Sequence, residues 1–144
     1  MARNSFSFSV FGVHPATQGS KKYVGTRRTA TGNNIPLIVE SHPGLPKFRK
    51  AITDAIVDSN GEDMRFVGAV KVSATFYLPK PKTSSNRFPL NQRSGDLDKY
   101  LRALMDAVTK SELWGDDSQV VEIEAYKLYA IGEPGVVVTI TKIG

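Results

Sequence analysis

The sequence predicts a single α+β domain spanning residues 1–144, with a mixed or antiparallel sheet and two helices packed on one face. Three observations predict it. Residues 6–10 and 70–76 alternate in side-chain character, the period of a strand with one buried face. Residues 48–56 and 97–108 carry apolar side chains at helical spacing, which makes one stripe along each helix. A chain of 144 residues is long enough for one core and too short for two comfortable ones.

The first strand is read from Phe6, Phe8 and Val10 alternating with Ser5, Ser7 and Ser9. A small-residue turn then leads to Tyr23 and Val24, and residues 25–34 read as a loop. Residues 35–39 are expected as a short strand at an edge, because Pro36 has no N–H for a central ladder. Pro43, Gly44 and Pro46 punctuate, and a helix is expected from about Lys47. Phe48, Ala51, Ile52, Ala55 and Ile56 form its stripe, and Gly61 suits a left-handed position after its end. Residues 66–78 are the longest strand candidate. Residues 79–93 are rich in Pro, Ser and basic side chains without periodicity, so the 79–95 stretch is expected to be a mobile basic loop that touches a partner. A second helix is expected from about Asp96, with Leu97, Leu101, Leu104, Met105 and Val108 as its stripe. Residues 119–130 and 136–143 are expected to pair as an antiparallel hairpin through Gly132 to Gly135.

Charge is distributed unevenly along this order. Residues 1–53 hold eight basic residues against Glu40 alone, and residues 79–95 hold four with no acid. Residues 96–124 reverse the balance, with eight acids against Lys99, Arg102 and Lys110. Basic flanks around an acidic centre suit a polyanion held over a metal site, and equally describe a solvated basic surface. The candidate phosphate contacts are Lys21, Lys22, Arg27, Arg28, Lys47, Arg49, Lys50, Lys80, Lys82, Arg87, Arg93 and Lys99. With no cysteine there is neither a disulfide framework nor a thiolate metal site. No apolar run approaches the roughly 20 residues needed to span a bilayer, and the N-terminus lacks a signal peptide's apolar stretch. No membrane role is expected, and the expected setting is the cytoplasm.

The acids fall in two pairs. Asp96 and Asp98 stand at the start of the second helix, where one can cap and the other can sit in the first turn. Capping alone explains such a pair, at about 0.5–2 kcal/mol of helix stability. Asp116 and Asp117 stand before a strand, after Trp114 and Gly115. If that strand starts beside the helix start, three carboxylates converge, and their repulsion either raises a pKa or draws in a cation. Oxygen donors without His or Cys favour Mg²⁺ or Mn²⁺ over Zn²⁺. His14 and His42 lie in loops without ligand spacing and read as non-ligands. Arg102, four residues after Asp98, is either an ion-pair partner for it or a phosphate-binding group.

The run from Asp96 to Ala107, followed by Leu113-Trp114-Gly115-Asp116-Asp117-Ser118-Gln119-Val120, resembles the RusA family of Holliday-junction resolvases. That family's pattern is Asp-Leu-Asp-Asn, a basic residue one turn on, Asp-Ala, then a hydrophobic-Trp-x-Asp-Asp-x-Gln-Val run. Residues 12–22, which include Gln18-Gly19-Ser20-Lys21, resemble a segment common in phage-type members. The resemblance implies a small homodimeric endonuclease that needs Mg²⁺ or Mn²⁺, cuts four-way DNA junctions symmetrically, and works in recombination, repair or phage DNA processing in a bacterial or phage-infected cell. It implies catalytic, metal-holding carboxylates at Asp96, Asp98 and Asp117, with Asp116 a weaker candidate. Two positions depart from the pattern. Arg102 stands where the family has a catalytic Lys, and Arg keeps the charge without being able to deliver a proton. Lys99 stands where the family has Asn. The alternatives are a catalytically weak junction- or branched-DNA-binding protein, and a nuclease that prefers flaps or forks.

Overall fold

The computed structural model describes residues 4–19, 21–40, 42–60 and 63–144, and for residues 21–25, 27 and 34–40 it describes the backbone alone. The elements, in chain order, are β1 (Ser5–Phe11), β2 (Lys21–Arg28), β3 (Asn34–Glu40), α1 (Leu45–Ser59), β4 (Val70–Leu78), α2 (Leu97–Lys110), β5 (Val120–Tyr129) and β6 (Gly135–Lys142). Short 3₁₀ turns at Gln92–Ser94 and Asp117–Gln119 flank α2. The result is the α+β fold the pattern predicts.

The main sheet has the order β1-β6-β4-β5. β6 is antiparallel to both β1 and β4, and β5 is parallel to β4. Alternation builds one apolar face. Phe6, Phe8 and Val10 pair with Ile140, Val138 and Val136, which pair in turn with Val72, Ala74 and Phe76. All nine are buried, and they share one core with Leu45, Phe48, Ile52 and Ile56 of α1 and Ala103, Leu104, Ala107 and Val108 of α2. The opposite face carries Ser5, Ser7, Ser9, Lys71, Ser73, Thr75, Thr139 and Thr141, with Ser7 and Thr139 hydroxyls 2.8 Å apart.

Three expectations need correcting. β5 and β6 do not form a hairpin, because β4 lies between them. The connection 130–134 crosses the end of β4, where the Ala130 N–H donates to the Leu78 carbonyl (2.8 Å). A parallel β4–β5 pair needs a crossover, and α2 supplies it. Secondly, residues 25–28 are strand rather than loop: Arg27 and Arg28 pair with Ile35 and Asn34 in a separate two-stranded sheet. Its turn is closed by the Thr29 N–H on the Asn33 carbonyl (2.7 Å). Both strands are edges, so Pro36 costs no central ladder bond. Thirdly, α1 begins at Leu45, with Pro46 in its first turn, where a missing N–H is harmless. The expected Gly61 stop lies outside the described residues.

Gly135 opens β6 where it passes β1. A β-carbon there would overlap the Val10 carbonyl oxygen. Backbone cannot move aside as a flexible side chain can, so Gly135→Ala is expected to destabilise the fold by about 1–3 kcal/mol, the usual cost of overpacking. A urea melt of the two proteins checks this.

Candidate metal and phosphate site

The start of α2 is built by its own sequence. The Asn91 side chain accepts from the Ser94 N–H (3.0 Å), which closes the 3₁₀ turn. Gly95 follows at φ +82°, a left-handed conformation suited to glycine. A β-carbon there would stand 2.8 Å from the Tyr100 hydroxyl and 2.9 Å from Thr17 Cγ2. Tyr100 donates to the Ser94 carbonyl. Burial, and then the charge of Asp96, push its phenol above the usual range, which keeps it a donor.

Asp96 takes the N-cap position, and its carbonyl accepts from Lys99 (3.1 Å) and Tyr100 (3.2 Å). Its carboxylate makes no capping bond. Capping therefore does not account for this side chain, which is exposed with Lys99 Nζ 3.5 Å away. Asp98, in the first turn, is exposed and makes no hydrogen bond or ion pair among the described residues. Of the two roles open to Arg102, the ion pair with Asp98 is absent among the described residues. The Arg102 guanidinium lies instead against Gly19. Residues 17–19 dock here through the Gln18 N–H on the Lys99 carbonyl (3.0 Å). Gln18 Oε1 is buried without a partner among the described residues, an arrangement that costs about 1–3 kcal/mol elsewhere.

The second acidic pair divides its work. Asp116 accepts from the Ser118 N–H (3.0 Å), within a capping box closed by Gln119. Bonds from the Ser118 hydroxyl and N–H hold its carboxyl below the usual range. Gln119 accepts from Gly115 (2.8 Å) and Asp116 (3.1 Å) and donates to the Phe66 and Gly68 carbonyls (3.1 and 3.0 Å). Asp117 makes no such bond among the described residues and stands exposed. Asp116 is thus held by structure, and Asp117 is open to a ligand.

The two pairs do not meet in one chain. α2 has 14 residues, which separates its ends by about 20 Å. Asp96 begins it, beside the far end of β5, and Asp117 directly precedes β5 at the other end. Among the described residues no three His, Asp or Glu side chains are grouped to hold a metal ion. The convergence expected from sequence fails because a parallel crossover runs its helix antiparallel to its strands, so the helix start and the following strand's start lie at opposite ends of the sheet. The donor chemistry nevertheless fits a hard divalent ion: Asp96, Asp98 and Asp117 are exposed carboxylates, and a strong fixed partner holds none of them.

The basic candidates also divide. Arg49 bridges α1 to α2 through Asp106 (2.5 Å), and Lys50 pairs with Asp54 (2.7 Å). Lys47 and Arg28 are exposed. In the 79–95 segment Lys82, Arg87 and Arg93 are exposed, Lys80 lies 5.8 Å from the Tyr129 ring centre, and Arg87 lies 5.3 Å from that of Phe88. The Lys21, Lys22 and Arg27 side chains lie outside the described residues.

Sequence reasoning missed Lys127. Its Nζ donates to Ser94 Oγ (2.9 Å) and to the Gly95 carbonyl (2.6 Å), immediately before Asp96. The signal was available: Lys127 is in phase with Ile123 and Ala125, whereas Glu122, Glu124 and Tyr126 occupy the other face of β5.

The pattern of endodeoxyribonuclease RusA matches residues 16–141, which includes both acidic pairs, α2, β4, β5 and all but the last residue of β6. The chain therefore belongs to the RusA endodeoxyribonuclease family. It is also similar to the Bacillus subtilis (strain 168) protein described as "Uncharacterized protein YqaN", at 26% identity over 111 residues, which cover 70% of this chain and 77% of that one. Among the described residues no helix is long and apolar enough to cross a membrane.

Proposed function

We propose that this protein is a metal-dependent endonuclease that cuts four-way DNA junctions as a homodimer, each site combining Asp96 and Asp98 of one protomer with Asp117 of the partner subunit. The observation that carries this is the placement of exposed carboxylates, of which only Asp96 has an ion-pair partner among the described residues (Lys99, 3.5 Å), at opposite ends of α2 and β5 in a family of endodeoxyribonucleases. One chain holds two half-sites that cannot serve a common ion.

β5 supports the assembly. It is an edge strand of ten residues, with Val121, Ile123 and Tyr126 exposed. An edge of that length with large apolar side chains invites pairing. Two copies meeting antiparallel along β5 bring the start of one β5, with Asp117, to the end of the other, with Lys127 and Asp96. Two equivalent sites follow from the twofold axis, matching the near-twofold symmetry of a junction.

Asp96, Asp98 and Asp117 hold Mg²⁺ or Mn²⁺, which when bound supplies a water of lowered pKa and neutralises phosphate charge. Arg102 holds a phosphate oxygen and stabilises its charge, but passes no proton. Lys47, Lys82, Arg87 and Arg93 neutralise flanking phosphates.

The test is cleavage of a labelled four-way junction, with linear duplex and flap controls, in Mg²⁺, Mn²⁺ or EDTA. Paired symmetric cuts on the junction, present with either metal and abolished by EDTA, are the expected result. Binding without cuts would instead mark a catalytically weak junction-binding protein, and preferential cutting of flaps would mark a different nuclease.

A further inference from the structure

Lysine on the inward face of a strand is costly to hold, since its ammonium must leave water and find partners. Lys127 is such a residue: it is half-buried and opposite Phe76 in the β4–β5 ladder. Its partners are not carboxylates. Among the described residues no Asp or Glu lies within ion-pair distance of it, while Glu124 pairs with Lys71 (3.2 Å) on the sheet's other face. Two of its three donors go to Ser94 Oγ (2.9 Å) and the Gly95 carbonyl (2.6 Å).

The same two residues are held from every side. The Tyr100 hydroxyl donates to the Ser94 carbonyl. Ser94 Oγ lies 2.7 Å from both the Pro89 and Asn91 carbonyl oxygens, which share its single proton. The Gly95 N–H donates to the Gln92 carbonyl (3.2 Å), and Thr17 closes the space where a β-carbon would stand. So much restraint on two residues is not needed to start a helix, which an N-cap side chain does alone, and here the Asp96 side chain makes no capping bond.

We propose that Lys127 is a positioning residue for the nuclease site. It fixes the Ser94–Gly95 backbone so that Asp96 leaves the chain in an extended conformation with its carboxylate directed outward, and it places a positive charge behind that carboxylate. This rests on the nuclease reading above for its catalytic consequence, though not for its structural one.

The test uses Lys127→Met, which keeps the aliphatic stem, and Lys127→Arg, which keeps the charge and donors. Hydrogen exchange of the Ser94 and Gly95 amides is followed in metal-free protein, and junction cleavage is measured with Mg²⁺. In Lys127→Met both amides are expected to exchange at least about 10-fold faster than in the wild type, while amides in the middle of β4 do not change. Its kcat is expected to fall about 10–100-fold, the usual cost of losing a group that orients a metal-binding side chain, with KM for the junction within about twofold. Lys127→Arg is expected to recover part of both losses. Unchanged exchange at Ser94 and Gly95 overturns the proposal. So does a rise in KM with kcat intact, which would make Lys127 a DNA contact. If Lys127→Met does not fold, the arginine variant decides by the same two readouts. A wild-type protein that leaves junctions uncut overturns the nuclease reading, and the exchange measurement still decides the positioning role.

Discussion

Asp98→Asn and Asp117→Asn are each expected to be inactive on a four-way junction, while the two variants expressed together recover cleavage. Both side chains are exposed and unbonded among the described residues, so the substitutions are expected to change stability by less than about 1 kcal/mol. Their effect falls on the metal. Losing an outer-shell partner of a metal ligand costs 10–100-fold, so losing a ligand itself is expected to cost more than about 100-fold. A mixed dimer then has one site with both lesions and one with neither. If subunits pair at random, half the dimers are mixed and about a quarter of all sites are intact. The intact site stands alone in its dimer, so the recovered product is a single nick rather than a resolved junction. Denaturing gels separate these outcomes. If each chain carried a complete site, co-expression would recover nothing, and the proposed assembly would be wrong.

The prediction depends on topology, and topology is where sequence reading was weakest. The alternation of Phe6, Phe8 and Val10, the β4 pattern and the α2 stripe were legible because burial on one side imposes a period that needs no knowledge of the partner. Pairing is different. A connection of residues 130–134 can join neighbouring strands or step over one, and local composition does not choose. The strand–helix–strand order of β4, α2 and β5 did carry the answer, since that order favours a parallel crossover. That order alone separates Asp96 from Asp117 by a helix length. The acids themselves were legible as residue types. That Asp116 is occupied by Ser118, that Asp117 is not, and that the Asp96 carboxylate does not cap depend on side-chain directions that spacing alone does not fix. Lys127 was overlooked for another reason: a charge on a strand reads as solvent-facing unless its phase is compared with that of its neighbours.

Trp114→Ala is expected to give the largest loss of stability. Trp114 is completely buried, and its Nε1 donates to Thr109 Oγ1 (2.7 Å). Its backbone bridges to Phe66, whose N–H donates to the Leu113 carbonyl (2.8 Å). Side chain and backbone together thus make this segment the tie between the end of α2 and the lead-in of β4, directly before the turn that presents Asp116 and Asp117. Truncating a buried Trp costs about 3–5 kcal/mol, a large share of the 5–15 kcal/mol that holds a typical domain. At about 2–4 °C per kcal/mol the melting temperature falls by roughly 6–20 °C. Trp114 is the chain's only tryptophan, so far-UV circular dichroism must follow the melt, because the variant has lost its fluorescent reporter. The Thr109 hydroxyl still donates to the Met105 carbonyl (3.0 Å), so Trp114→Phe leaves no stranded donor and is expected to cost about half as much or less. The two variants also separate stability from chemistry. Trp114→Phe, assayed well below its melting point, keeps the Asp117 turn in place and is expected to cut junctions at near wild-type rates. Asp117→Asn melts like the wild type and does not cut. A Trp114→Phe protein that is fully folded but inactive would mean that the turn, and not only its carboxylate, takes part in holding the substrate.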